Sequence, residues 1–138
     1  MNKKDYIGIF GGSFDPIHRG HIESLKNVIE KLNLSKVLVI PNKVSPLKEL
    51  SIASSFEKIK MLKIAFKDFK EIEIEDYELK KKGQSFMIET LQYLEKKLEK
   101  KKHLLLIIGE DAFQSLHHWK SYQEIMKMTS ILVMNRPG

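Results

Sequence analysis

The run His103-Leu104-Leu105-Leu106-Ile107-Ile108 is the most hydrophobic stretch of the chain, and it constrains the fold most. A short apolar run with no polar alternation reads as a strand buried on both faces, the kind found in parallel sheets. It is expected to be the central strand. Val37-Leu38-Val39-Ile40, closed by Pro41-Asn42, repeats the pattern, and Tyr6 to Phe10 and Ser130 to Met134 are shorter versions of it. Glu71-Ile72-Glu73-Ile74-Glu75 alternates instead, which predicts an edge strand with one wet face.

Between these runs the period changes to that of a helix. Ile22, Leu25, Ile29 and Leu32 share one stripe, with Asn33 placed to cap the end. Phe56, Ile59, Leu62 and Phe66 form a second stripe, begun by Ser54 or Ser55 as cap with Glu57 in the first turn. Ile88, Leu91, Leu94 and Leu98 lie inward on a helix expected from Ser85 to about Lys101. A short helix with Phe113 and Leu116 and another over Tyr122 to Met128 complete the set, while Asn42 to Ser54 and Asp76 to Gly83 read as loops. Alternating strands and helices predict one α/β domain over residues 1–138. It should be a Rossmann-like, open, parallel five-stranded sheet with helices on both faces.

In such sheets ligands bind beyond the carboxyl ends of the strands, where strand order reverses. Gly11-Gly12, the loop from Pro41 to Lys48, Gly109-Glu110-Asp111 and Arg136 all follow strands, so they should meet on one edge. Paired glycines between a strand and a helix let backbone amides approach a phosphate, and the helix N-terminus adds partial positive charge. His18 and His21 follow, three residues apart, able to donate to phosphate oxygens from one side. No Gly-Lys-Ser/Thr triplet is present, and Gly8, Gly11 and Gly12 do not match G-x-G-x-x-G, so the two commonest phosphate loops are excluded. As metal ligands the two histidines have no carboxylate or further histidine nearby at ligand spacing, and no protein-held metal is expected.

Composition narrows the classes further. The net charge of +6 comes from lysines scattered over expected helix surfaces, which does not mark a nucleic-acid binder. The two arginines, Arg19 and Arg136, both fall where a ligand is expected, and their planar fork suits phosphate. With 0 cysteines there is no disulfide or thiolate site, and no apolar run is long enough to cross a bilayer, so a cytoplasmic location without membrane contact is expected. Assembly as a homo-oligomer is compatible with the sequence.

Gly11-Gly12-Ser13-Phe14-Asp15-Pro16-Ile17-His18-Arg19-Gly20-His21 resembles the signature of the H-x-G-H nucleotidyltransferase superfamily. Ile40-Pro41-Asn42-Lys43-Val44-Ser45-Pro46-Leu47-Lys48, Ile107-Ile108-Gly109-Glu110-Asp111, the Trp119 segment and Asn135-Arg136-Pro137-Gly138 extend the likeness to the bacterial nicotinate-nucleotide adenylyltransferases. The resemblance implies adenylyl transfer from ATP to nicotinate mononucleotide, giving deamido-NAD and pyrophosphate, with Mg2+ on the polyphosphate. It implies that His18 and His21 contact the ATP phosphates as pyrophosphate leaves. Gly11, Gly12, Ser13 and Phe14 would hold phosphates, with Lys48 and Arg136 near them and Asp111 near a ribose. Phe86, Met87, Thr90 and Trp119 would line the nicotinate-nucleotide site, Trp119 stacking on the pyridine; the plain alternatives are core packing for Trp119 and a helix cap for Asp111. Where the family commonly has Tyr-Thr this chain has Phe86-Met87, and Met87 has no hydroxyl for the nicotinate carboxylate. The family's C-terminal Ser-Ser/Ala-Thr-x-x-Arg motif is absent, so a truncated chain is expected. Rival readings are another member of the superfamily, either a pantetheine-phosphate adenylyltransferase or a cytidylyltransferase, and a nucleotide-binding fragment without activity.

Overall fold

The computed structural model describes residues 6–12, 14, 19–42, 55–81, 85–98 and 102–135. Five parallel strands form its sheet: β1 (Tyr6–Gly12), β2 (Val37–Pro41), β3 (Ile72–Ile74), β4 (His103–Gly109) and β5 (Thr129–Met134). Their order is β3-β2-β1-β4-β5. The helices are α1 (Arg19–Leu32), α2 (Ser55–Ala65), α3 (Tyr77–Lys80), α4 (Met87–Lys97), α5 (Glu110–Ser115) and α6 (Tyr122–Met128), with a 3-10 turn at Leu116–His118. The expected open parallel sheet is therefore present. Its middle strand is β1, not the more hydrophobic β4, because the chain returns past β1 to add β4 on the other side. Strand order reverses between β1 and β4.

The period of two along each strand divides the core into two layers. Ile7 and Ile9 of β1, Leu38 and Ile40 of β2, and Leu104, Leu106 and Ile108 of β4 pack against Ile88, Leu91 and Leu94 of α4 and Ile125 of α6. On the other face Phe10, Val37, Val39, Leu105 and Ile107 pack against Leu25 and Ile29 of α1 and Leu62 of α2. Gly8 belongs to this second face. A Cβ there would stand 3.0 Å from side-chain atoms of Ile107 and of Val37, so a larger residue would make both core side chains give way. The end of α1 is closed as expected. Asn33 takes φ 52 and Leu34 N–H donates to the Ile29 carbonyl at 3.1 Å, a left-handed cap that turns Leu34 into the core.

Four expectations are corrected. Asp76 to Gly83 is not only a loop, since Tyr77–Lys80 forms one helical turn. The long helix starts at Met87 rather than Ser85 and ends at Lys97, where Leu98 adopts an extended backbone. Phe56 is 73% exposed, with the Lys60 ammonium 5.7 Å from its ring centre, so the stripe of α2 is narrower than its spacing suggested. Glu75, expected on the wet side of the edge strand, is buried and receives Lys97 at 2.7 Å and the Tyr77 N–H at 3.1 Å.

Glu75 is one member of a polar belt beneath α3 and α4. Thr90, fully buried, donates to the buried Glu78 at 2.6 Å, and Lys81 pairs with Glu89. Burial pushes the Glu78 carboxyl above its ordinary value, opposed by the Thr90 hydroxyl and the Lys81 charge. The folded chain thus holds a proton the unfolded chain has already lost. Stability contributed at this site falls as pH rises from the unfolded value through the raised folded one. Glu78→Gln keeps an oxygen for Thr90 and removes the titration, so its melting temperature relative to wild type should climb between pH 4 and 7. Thr90→Val, which leaves the carboxyl buried without its donor, should cost about 1–3 kcal/mol in chemical denaturation.

Candidate functional site

β1 ends in two glycines that open opposite faces of the sheet. Gly11 continues the row Ile7–Ile9 towards α4, and Gly12 continues the row Gly8–Phe10 towards α1. A Cβ on Gly12 would meet the Phe14 ring at 3.1 Å. Phe14 is buried at φ 45, a conformation that costs a non-glycine residue energy and that packing must offset. Its ring lies 5.5 Å from Phe10 and meets the His21 imidazole edge-on at 5.6 Å. His21, in the first turn of α1, is held by both phenylalanines and remains partly exposed. Arg19, exposed, is the first residue of that helix.

On the α4 face a Cβ on Gly11 would stand 3.4 Å from the Met87 methyl and 3.7 Å from Asn42 Oδ1. Asn42 donates its backbone N–H to the Gly12 carbonyl at 2.8 Å, extending the β1–β2 ladder by one rung. Phe86, Met87 and Trp119 are partly buried against the α4-side core. Trp119 is fixed in a tight turn, its N–H bonded to Leu116 at 3.0 Å and its carbonyl accepting from Tyr122 at 3.1 Å. Lys120 places its ammonium 4.5 Å from the centre of the Phe86 ring. At the end of β4, Gly109 meets nothing within 4 Å of a built Cβ, and Glu110 and Asp111 stand exposed in the first turn of α5. Gly109, not Asp111, occupies the cap position of that helix.

Of the residues the sequence proposed, Gly11, Gly12, Phe14, His21, Phe86, Met87, Trp119 and Asp111 all belong to the carboxyl edge of the sheet or to the elements that begin there. Thr90 lies deeper, its hydroxyl committed to Glu78. Ser13, His18, Lys48 and Arg136 lie outside the described residues. Among the described residues, no three His, Cys, Asp or Glu side chains group closely enough to hold a metal.

This edge, at the reversal between β1 and β4, can seat a ligand on backbone amides while side chains reach it from both faces. The family model for cytidylyltransferase-like proteins matches residues 9–137. Over 130 residues the chain is 42% identical to an Aquifex aeolicus protein named "Probable nicotinate-nucleotide adenylyltransferase", covering 94% of this chain and 77% of that one. The chain belongs to the nicotinate-nucleotide adenylyltransferase family. It is thus an enzyme of nucleotidyltransferase type. A Leptospira interrogans relative with the same name is 41% identical over 139 residues, covering 99% of this chain and 69% of the relative. In fold the chain also matches the Plasmodium falciparum nicotinic acid mononucleotide adenylyltransferase solved with NaAD, at TM-score 0.74 and 18% identity, over 97% of this chain and 76% of that one.

Asn42, expected only as part of the Pro41 to Lys48 loop and of a family motif, had no role of its own in the sequence reading. The signal was present in the alternation, because Leu38, Ile40 and Asn42 share one face and a polar side chain continues a buried row.

The glycines give a direct test of this geometry. Gly12→Ala should push the Phe14 ring, and the His21 imidazole resting on it, costing about 1–3 kcal/mol by thermal unfolding. Gly109→Ala meets open space, so its melting temperature should match wild type.

Proposed function

We propose that the chain transfers the adenylyl group of ATP to nicotinate mononucleotide, giving deamido-NAD and pyrophosphate. What carries this reading is the double-sided edge at Gly11 and Gly12, in a chain of this family. The reaction joins two phosphates, one from each nucleotide. A strand end that opens to both faces lets each substrate lie on its own side with the phosphates meeting over the glycines.

On the α1 side the amides after β1 and the start of α1 receive the triphosphate, with His18 and His21 donating to oxygens that gain charge as pyrophosphate departs. On the α4 side the mononucleotide's pyridine stacks on Trp119 beside Phe86 and Met87. Its phosphate then attacks the α-phosphorus of ATP in line. No covalent intermediate is needed, because positioning and fixed charge do the work in phosphoryl and nucleotidyl transfer. Asp111, exposed in the first turn of α5, would accept a hydrogen bond from a ribose hydroxyl, and Lys48, by its match to the family, and Arg136, after the last strand, would hold phosphate. Mg2+ arriving on the triphosphate would neutralise polyphosphate charge. An ion of that kind needs few protein ligands, and among the described residues Glu110 and Asp111 bring carboxylates to the end of β4.

Pyrophosphate release measured with a panel of acceptors tests the reaction: turnover is expected with nicotinate mononucleotide, and turnover only with phosphopantetheine or a CTP-dependent acceptor would overturn it. His18→Ala should lower kcat by about a hundredfold or more at unchanged stability. Trp119→Ala should raise KM for the mononucleotide far above any change in KM for ATP; equal effects on both would remove Trp119 from the acceptor site.

A further inference from the structure

We propose that Asn42 binds the acceptor nucleotide through a ribose hydroxyl, which donates to the Asn42 amide oxygen. The proposal rests on the reaction put forward above and adds a residue to it. Its basis is an unsatisfied atom: among the described residues Asn42 Oδ1 is buried and has no hydrogen-bond partner. A buried acceptor left without a donor costs roughly 1–3 kcal/mol, so native chains seldom keep one without a use. The backbone of Asn42 is otherwise well placed, with its N–H on the Gly12 carbonyl at 2.8 Å. The orphan is therefore the amide oxygen, held on a backbone rung just past the end of β2.

Its position selects the substrate. Asn42 continues the row Leu38–Ile40, so it lies on the α4 face, and its Oδ1 sits over Gly11 together with the Met87 methyl. Neither neighbour has a donor to offer there: Met87 ends in a thioether and Gly11 has no side chain. A carbonyl oxygen in such a place repels phosphate and carboxylate, which bring only acceptors. The donors that an acceptor mononucleotide carries are its ribose hydroxyls. The triphosphate half of the site, built around Gly12, Phe14 and His21, occupies the opposite face.

The test compares the full chain with Asn42→Ala and Asn42→Asp, by titration calorimetry with nicotinate mononucleotide and its 2′-deoxy and 3′-deoxy analogues, and with ATP and 2′-deoxy-ATP. Wild type should bind the intact mononucleotide about tenfold more tightly than one of its deoxy analogues. Asn42→Ala should lose that discrimination, and Asn42→Asp, which keeps an acceptor, should retain it. ATP affinities should change little in either variant. Discrimination that survives in Asn42→Ala, or that is lost in Asn42→Asp, overturns the proposal; so does wild type that binds the deoxy analogues equally well or binds no mononucleotide. The acceptor panel is a separate readout. If hydroxyl discrimination follows Asn42 but no deamido-NAD forms, the reaction assigned above is wrong while Asn42 remains a ribose contact.

Discussion

Everything at the carboxyl edge depends on how closely β1 is gripped by β2 and β4. Gly8 keeps the packing over that strand close: a Cβ there would stand 3.0 Å from side-chain atoms of Ile107 and of Val37, so a larger residue would force both core side chains to shift. The strand is then covered on both faces by independent layers, α4 and α6 on one side and α1 and α2 on the other. A strand fixed in this way has no freedom at its end. Gly11 and Gly12 inherit that rigidity, which is what a site that works by positioning requires.

The alternation of the strand also explains why the two glycines are not interchangeable. Gly12 faces Phe14, whose left-handed backbone is retained because its ring is buried between Phe10 and the His21 imidazole. Gly11 faces Met87 and Asn42 at the start of α4. One missing side chain thus makes room for an aromatic support under a histidine, and the other for an amide and a thioether. The residue types beside the two openings differ, and so must the chemical groups that each side favours.

Much of this was legible from residue order, and the reasons differ by element. Continuous apolar runs in β2 and β4 and the stripe of α1 reported their burial directly, since burial on both faces or on one leaves different periods. The rank of β4 as the central strand was misread because hydrophobicity measures coverage, and strands beside the centre are covered as fully as the centre itself. Phe56 was misplaced since spacing gives the direction of a side chain but not whether anything lies opposite; here it holds a lysine and faces water. Glu75 was expected on the wet face because charge usually is solvated, and Glu78 fell in a stretch read as a loop. Their partners, Lys97 and Thr90, stand 22 and 12 residues along the chain, beyond any local pattern. At the candidate site, the motif pointed to the glycines and His21, whereas the role proposed for Asn42 required knowing which face a residue just past the strand would occupy.

That polar belt bears on the site through α4. A helix resting only on Ile88, Leu91 and Leu94 could slide along the sheet with little change in buried area, because apolar contact is non-directional. Hydrogen bonds are directional, and Thr90 to Glu78 and Lys97 to Glu75 tie two points of α4 to the segment after β3. Met87, one turn before Thr90, is thereby held beside Gly11 and Asn42. The buried carboxylate that burdens stability is the same group that fixes the register of the helix against the strand end, so the belt is best understood as a positioning device for the α4 side of the cleft.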